Sequence, residues 1–179
     1  MSEAITHSRA EKLRRITAAG LFAALIYVFT AYLHIPTGAG YTHAGDGLIY
    51  LAACILPTSY AMAAGAIGGA LADGLTGFPV WIPATVIIKA ITALFFSNKK
   101  EKILSLRNIL AVIPSGIICI AGYSFYEGTV MAGGFSVAAL TAAFTQTPSY
   151  LVQIGTSTIL FVAVSLLLDR IEFKKKFKL

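Results

Sequence analysis

Four apolar runs, at residues 16–33, 83–96, 109–126 and 148–168, constrain this chain more than any other feature. Each is about 14 to 21 residues long, close to the ~20 that cross a ~30 Å hydrocarbon core. A soluble fold of 179 residues cannot hide them, because 57% of the chain is hydrophobic and only 12% charged. Ordinary soluble domains carry about 25% charged residues. The reading is an all-α integral membrane protein, a single membrane domain over 1–179 with no soluble appendage.

The net charge of +6 suggests nucleic acid until the fourteen Lys and Arg are placed. Arg9, Lys12, Arg14 and Arg15 precede the first run; Lys99, Lys100, Lys102 and Arg107 separate two runs; Arg170, Lys174, Lys175, Lys176 and Lys178 close the chain. Only Lys89 lies within an apolar segment. This is the positive-inside pattern of membrane insertion, and it argues against a nucleic-acid partner.

Loop charge also sets the number of spans. Residues 46–73 hold 26 uncharged positions between Asp46 and Asp73, interrupted by Leu56-Pro-Thr-Ser59. One helix there would put the second and third basic clusters outside; two short helices put all three clusters on one face. Six transmembrane helices are therefore predicted, roughly 12–33, 45–56, 58–74, 83–97, 107–127 and 148–169, with cytoplasmic N- and C-termini. The outer loops, 34–45, 74–82 and 128–147, contain no Lys or Arg. The short second and third helices must tilt, thin the bilayer or be shielded. The third, rich in Ala and Gly from Ala61, is predicted to be central and tightly packed. The N-terminus is too polar for a signal peptide and no small-residue cleavage site follows the first run, so that span is expected to be retained.

Four ionisable groups lie outside the basic ends: Asp46, Asp73, Lys89 and Glu127. A charge at the membrane centre costs on the order of 3 kcal/mol, so Lys89 is expected to face the bundle interior with a partner. Asp46 can cap its helix, and either Asp46 or Asp73 can neutralise Lys89 as a structural partner. Alternatively, Lys89 and Glu127 reach into a cavity and hold polar atoms of a ligand.

Polar side chains recur at helical spacing around these groups. Thr85, Lys89 and Thr92 share one face of the fourth helix, Tyr123 and Glu127 one face of the fifth, and Tyr150, Gln153 and Ser157 one face of the sixth. Three successive stripes in the outer half are what a polar cavity between helices needs. The outer aromatics include Tyr41, Phe78, Trp81, Phe135 and Phe144; such rings suit a membrane interface, and Trp81 and Tyr41 could also stack on a planar heterocycle. His43 sits in the glycine-rich segment Gly40-Tyr-Thr-His-Ala-Gly-Asp46, whose backbone can pass close to a ligand.

Catalytic signatures are missing. The sequence has no GxxxxGK[ST] phosphate loop, GxSxG elbow or HExxH pair. Cys54 and Cys119 stand alone, without metal-ligand spacing, and read as packing residues. No catalytic residue, metal or cofactor is expected, and uphill movement of a solute requires partner subunits or an ion gradient. A secondary transporter using Lys89 with Asp73 or Glu127 as a proton relay is the competing reading. The short chain, with no inverted repeat, speaks against it.

Three segments carry a family resemblance: Gly40-Tyr-Thr-His-Ala-Gly-Asp-Gly-Leu-Ile-Tyr-Leu-Ala-Ala-Cys-Ile-Leu-Pro57, Ala66-Ile-Gly-Gly-Ala-Leu-Ala-Asp-Gly-Leu-Thr-Gly-Phe-Pro79 and Ile87-Ile-Lys-Ala90. Over residues 12–170 the chain resembles the substrate-binding S components of energy-coupling factor (ECF) vitamin transporters, of the hydroxymethylpyrimidine and pyridoxine type, near the riboflavin type. The resemblance implies a binding subunit in the bacterial plasma membrane that captures a small heterocycle, pyridoxine, pyridoxamine or hydroxymethylpyrimidine first, with riboflavin, a queuosine precursor or another vitamin as the alternatives. It further implies docking on one transmembrane scaffold subunit and two cytoplasmic ATPases. The vitamin would sit near the outer face, among the first outer loop and the outer parts of the fourth to sixth helices. Candidate substrate-binding residues are Tyr41, His43, Asp46, Trp81, Lys89, Tyr123, Glu127, Tyr150 and Gln153. The family's small-xxx-small docking signature in the first helix falls on Ala19, Gly20, Ala23 and Ala24, a smooth face for a partner helix.

Overall fold

The computed structural model describes residues 2–37 and 40–177, with residues 2–8 given by backbone alone; Lys178 of the C-terminal basic cluster lies outside the described residues. The protein is mostly helical. Helix α1 covers Ser2–Ala31, α2 Asp46–Ile55, α3 Thr58–Leu75, α4 Ile82–Leu94, α5 Leu106–Leu110, α6 Val112–Tyr126, α7 Val137–Phe144, α8 Thr147–Arg170 and α9 Phe173–Lys176. Strands β1, His34–Thr37, and β2, Gly40–His43, form an antiparallel pair. Among the described residues, three helical stretches are long and apolar enough to cross a membrane: Arg9–Ala31, Leu106–Met131 and Thr147–Arg170.

Proline sets several breaks. Pro57 separates α2 from α3, because a proline cannot continue the helix before it. Pro83 and Pro148 sit in the first turns of α4 and α8, where a missing N–H costs nothing. The span expected as one helix over 107–127 is one helical stretch, Leu106–Met131, with a local turn at Ala111. Pro114 explains this, since its ring crowds the carbonyl four residues back, at Leu110.

Two expected loops carry structure. Within 34–45 the chain forms the hairpin, with His34 opposite His43 and Ile35 opposite Thr42. Across 127–147 a turn of π-helix, Glu127–Met131, precedes α7, whose N-cap Ser136 accepts the Ala139 N–H with its hydroxyl. The first helix also begins well before residue 12.

The central helix is α2 rather than α3. All ten residues of α2 are buried, and it packs against α1, α3, α4 and α8; a helix apolar on every side belongs inside. Tyr50 of α2 stacks on Phe96 at 4.7 Å and meets Phe161 of α8 edge-on at 6.0 Å. Helix α3 leaves Ile67, Leu71 and Leu75 exposed. Its small residues serve close approach to α1 and α4: a Cβ on Gly68 would lie 2.6 Å from the Ala23 carbonyl oxygen.

The loop after α4 is fastened to the end of α8. The Asp169 carboxylate accepts the Ile103 and Leu104 N–H groups at 2.8 and 2.9 Å, and Lys174 Nζ donates to the Asn98 and Lys100 carbonyls at 2.6 Å. Buried Asn108 adds three bonds, to Ser97 N–H, Ser97 O and Ile103 O. Two of the three basic clusters therefore share one end of the bundle.

Candidate functional site

At the other end, the hairpin, the 3-10 turn Pro79–Trp81 and the adjoining turns of α3, α4, α6 and α8 surround a cavity. Eight of the nine candidate residues line it: Tyr41, His43, Trp81, Lys89, Tyr123, Glu127, Tyr150 and Gln153. Asp46 sits beneath them.

Asp46 is at the first turn of α2, yet its side chain caps nothing. Instead Oδ1 receives Lys89 Nζ at 2.6 Å and Oδ2 receives Gln153 Nε2 at 2.8 Å. The capping reading is thereby corrected: a buried carboxylate gains more from an ammonium and an amide than from a backbone N–H. Of the two candidate partners for Lys89, Asp46 makes the ion pair. Asp73 accepts the Tyr41 hydroxyl at 2.5 Å, which ties the hairpin to the end of α3.

Lys89 also lies 5.2 Å from the centroid of the Tyr123 ring, within cation–π reach. The Tyr123 hydroxyl shares a 3.0 Å hydrogen bond with Thr85. Tyr123 and Tyr150 lie nearly parallel, with centroids 5.9 Å apart and planes at 11°; Trp81 meets Tyr123 edge-on at 5.7 Å. Tyr41 packs on Phe78 at 4.9 Å and on His43 at 5.7 Å. A floor of paired charge thus lies under walls of aromatic rings.

The hairpin contributes two polar groups of altered acidity. His43 Nδ1 accepts the Gly45 N–H at 3.1 Å. Burial pushes its pKa down to about 3 despite Asp46, so the ring is neutral near pH 7. Burial, and next the Asp73 carboxylate, raise the Tyr41 phenol well above its usual value. Thr42 Oγ1 donates to the Ser149 carbonyl at 3.0 Å, closing the hairpin onto α8.

Thr30, Thr37, Gly40, Gly69, Asp73, Thr85, Gln146 and Ser149 complete the lining. Of these, the sequence reading singled out Asp73 and Thr85 but placed neither among the substrate contacts. Gln146 was detectable, because Gln146, Tyr150 and Gln153 continue the stripe on α8 at spacings of four and three. Among the described residues, no three His, Cys, Asp or Glu side chains lie close enough to hold a metal ion.

The family model for the S component of ECF-type riboflavin transporters matches residues 11–170. The chain belongs to this family. It is an ECF S component, a membrane protein of a transporter family rather than of an enzyme family. Such subunits bind vitamins and work with a scaffold subunit and ATPases. The match carries the riboflavin description rather than the hydroxymethylpyrimidine and pyridoxine one. No curated protein matches the chain.

The expected docking stripe of the S component divides into two faces. Ala23 is 7% exposed and faces α3, and Ala19 is half-buried, packed against the core. No partner helix can lie against Ala23 without displacing α3. Gly20 and Ala24 are exposed, and a Cβ on Gly20 would meet nothing within 4 Å.

Proposed function

We propose that this S component captures a small planar heterocycle of the vitamin class from the outer side of the membrane and passes it to an ATP-driven ECF module. The observation that carries the reading is the cavity itself, with aromatic walls and a polar floor of Lys89, Asp46 and Gln153. Rings stack on the walls, and the floor's polar atoms fix orientation. Tyr41, His43, Trp81, Tyr123, Glu127 and Tyr150 contact the ligand, while Asp46 holds Lys89 and Gln153 in place.

The accompanying topology has six spans in a single membrane domain, with both termini and the loop near residue 100 in the cytoplasm. The confinement of Lys and Arg to that side supports it, as does the junction of the α4–α5 loop with the end of α8. A bacterial plasma membrane and one scaffold subunit with two ATPases complete the assembly. Gly20 and Ala24 form the face that meets the scaffold.

A single-ring pyridine or pyrimidine, such as pyridoxine, pyridoxamine or hydroxymethylpyrimidine, is the first choice of ligand. Riboflavin is the second reading, favoured by the family match. Calorimetric titration of purified protein with these compounds separates the two. Reconstituted alone, the chain binds ligand and shows no proton-driven uptake. Uphill transport by the isolated chain would instead make it a secondary transporter and reject the reading.

A further inference from the structure

The cavity contains more acid than its own cations neutralise. Lys89 is the single Lys or Arg between residues 16 and 98, and none occurs from 108 to 169. Its ammonium is committed to Asp46 at 2.6 Å. His43 adds no charge near pH 7, since its Nδ1 accepts the Gly45 N–H and burial holds its pKa near 3. Asp73 and Glu127 therefore line the cavity without a protein counter-ion.

Each of these two carboxylates also keeps one oxygen short of a well-formed hydrogen bond. Asp73 is 5% exposed; its Oδ1 takes the Tyr41 hydroxyl, while its Oδ2 is buried with no hydrogen bond of good geometry, although the Thr85 hydroxyl interacts with this carboxylate. Glu127 Oε2 is likewise buried without a partner, on the first residue of the π turn that interrupts the end of α6. Buried polar atoms in folded proteins are nearly always paired, so each exception calls for an explanation, such as a bound ligand or ion. π turns are frequent at functional sites.

Two buried acceptors that line one cavity fit a ligand that brings donors and positive charge. A phosphate ester or carboxylate would be repelled, and a ligand offering only acceptors would leave both oxygens orphaned. A protonated amine supplies three N–H donors on one charge centre, and charge-assisted bonds to a carboxylate are the strongest available there. Resting on the vitamin-binding reading above, we infer that the ligand enters as a cation: an aminomethyl or other basic amine on a heterocycle, held by these oxygens of Asp73 and Glu127.

Pyridoxamine and pyridoxine provide the test, because they differ only by an amine in place of a hydroxyl. Calorimetry on the purified protein is expected to give about tenfold or tighter binding of pyridoxamine, and no binding of pyridoxal phosphate. Glu127→Gln and Asp73→Asn, each nearly isosteric, are expected to bring the amine-to-alcohol affinity ratio toward one. The small molecule released from protein purified without added ligand, identified by mass spectrometry, is expected to carry a basic amine or a cationic ring. Equal affinity for the two probes in the unaltered protein, or a neutral or anionic released ligand, overturns the inference and leaves vitamin binding standing. A ratio that stays unchanged in both folded variants does the same. Failure of pyridoxamine, pyridoxine and riboflavin alike to bind, with no heterocycle released, overturns both.

Discussion

Lys89 of α4 and Asp46 of α2 meet at 2.6 Å with side chains only 3% and 4% exposed, so the deepest cation of the chain is neutralised inside the bundle. Gln153 of α8 completes the group through the second carboxylate oxygen, at 2.8 Å. Three helices are thereby joined by one carboxylate beneath the cavity. Removing one partner of a buried pair leaves the other charge uncompensated, a loss of about 3–5 kcal/mol. Lys89→Met and Asp46→Asn are each expected to lower thermal stability in detergent by that order. The double variant should recover much of the loss while failing to bind ligand. If Lys89→Met alone kept ligand affinity by calorimetry, the lysine would have no part in the site.

Trp81 is the only tryptophan of the chain and lines the cavity beside Tyr123. Intrinsic tryptophan emission therefore reports on one place. A heterocycle entering the cavity is expected to quench or shift that emission saturably, with the same midpoint that calorimetry gives. Emission that ignores a ligand bound by calorimetry would put the ligand elsewhere.

The hairpin histidine gives stability a pH dependence with a defined sign. The unfolded His43 binds a proton below about pH 6.5, whereas the folded ring resists protonation until about pH 3. Between those values the unfolded state holds the extra proton, so stability falls as pH falls, by up to about 1.4 kcal/mol per pH unit. His43→Asn removes this contribution. The thermal midpoint of the unaltered protein should drop more steeply from pH 7 to pH 5 than that of the variant; parallel profiles would contradict the burial of a neutral ring.

Much of this arrangement is written in local sequence, and the remainder depends on contacts no local pattern carries. A lone lysine in an apolar run must turn inward because lipid cannot solvate it, and its neighbours Thr85 and Thr92 mark the same face. The stripe on α8 follows from helical spacing alone. Which aspartate pairs with Lys89 does not, since Asp46 and Asp73 both lie at helix ends and only packing brings Asp46 within 2.6 Å. The hairpin is equally obscure: its strands are four residues each, and Pro36 in β1 is a residue that sheets tolerate only at edges. Helix α7 hid in a segment read as loop, although Ser136 before Val-Ala-Ala-Leu is a recognisable helix start. The centrality of α2 was missed because the Ala- and Gly-rich α3 was expected to be the close-packed central helix; a helix surrounded by four others needs no lipid contact.

Close packing predicts where small residues are required for folding. A Cβ on Gly47 of α2 would lie 2.3 Å from the Ser157 backbone carbonyl of α8, and backbone cannot yield as a side chain can. Gly47→Ala is expected to destabilise by about 1–3 kcal/mol through overpacking. Thermal unfolding in detergent measures this, and an unchanged midpoint would mean that α2 and α8 do not approach so closely.

Small residues on the exposed side of α1 behave oppositely. Gly20 has open space where a Cβ would be, and Ala24 shares its exposure, so Gly20→Leu with Ala24→Leu removes no internal contact. Leucine also forms helix better than glycine by close to 1 kcal/mol, so thermal stability should hold or rise slightly. Ligand affinity should not change, because neither residue lines the cavity. What the pair of leucines does alter is the surface: two bulky side chains keep a neighbouring helix from the close backbone approach that joins helices in lipid. Uptake with the scaffold and ATPase subunits is therefore expected to fall several-fold while the isolated subunit binds normally. Ala23→Leu, by contrast, should damage folding first, since Ala23 faces α3 at Gly68. Transport that survives the Gly20 and Ala24 double substitution would move the docking face away from α1.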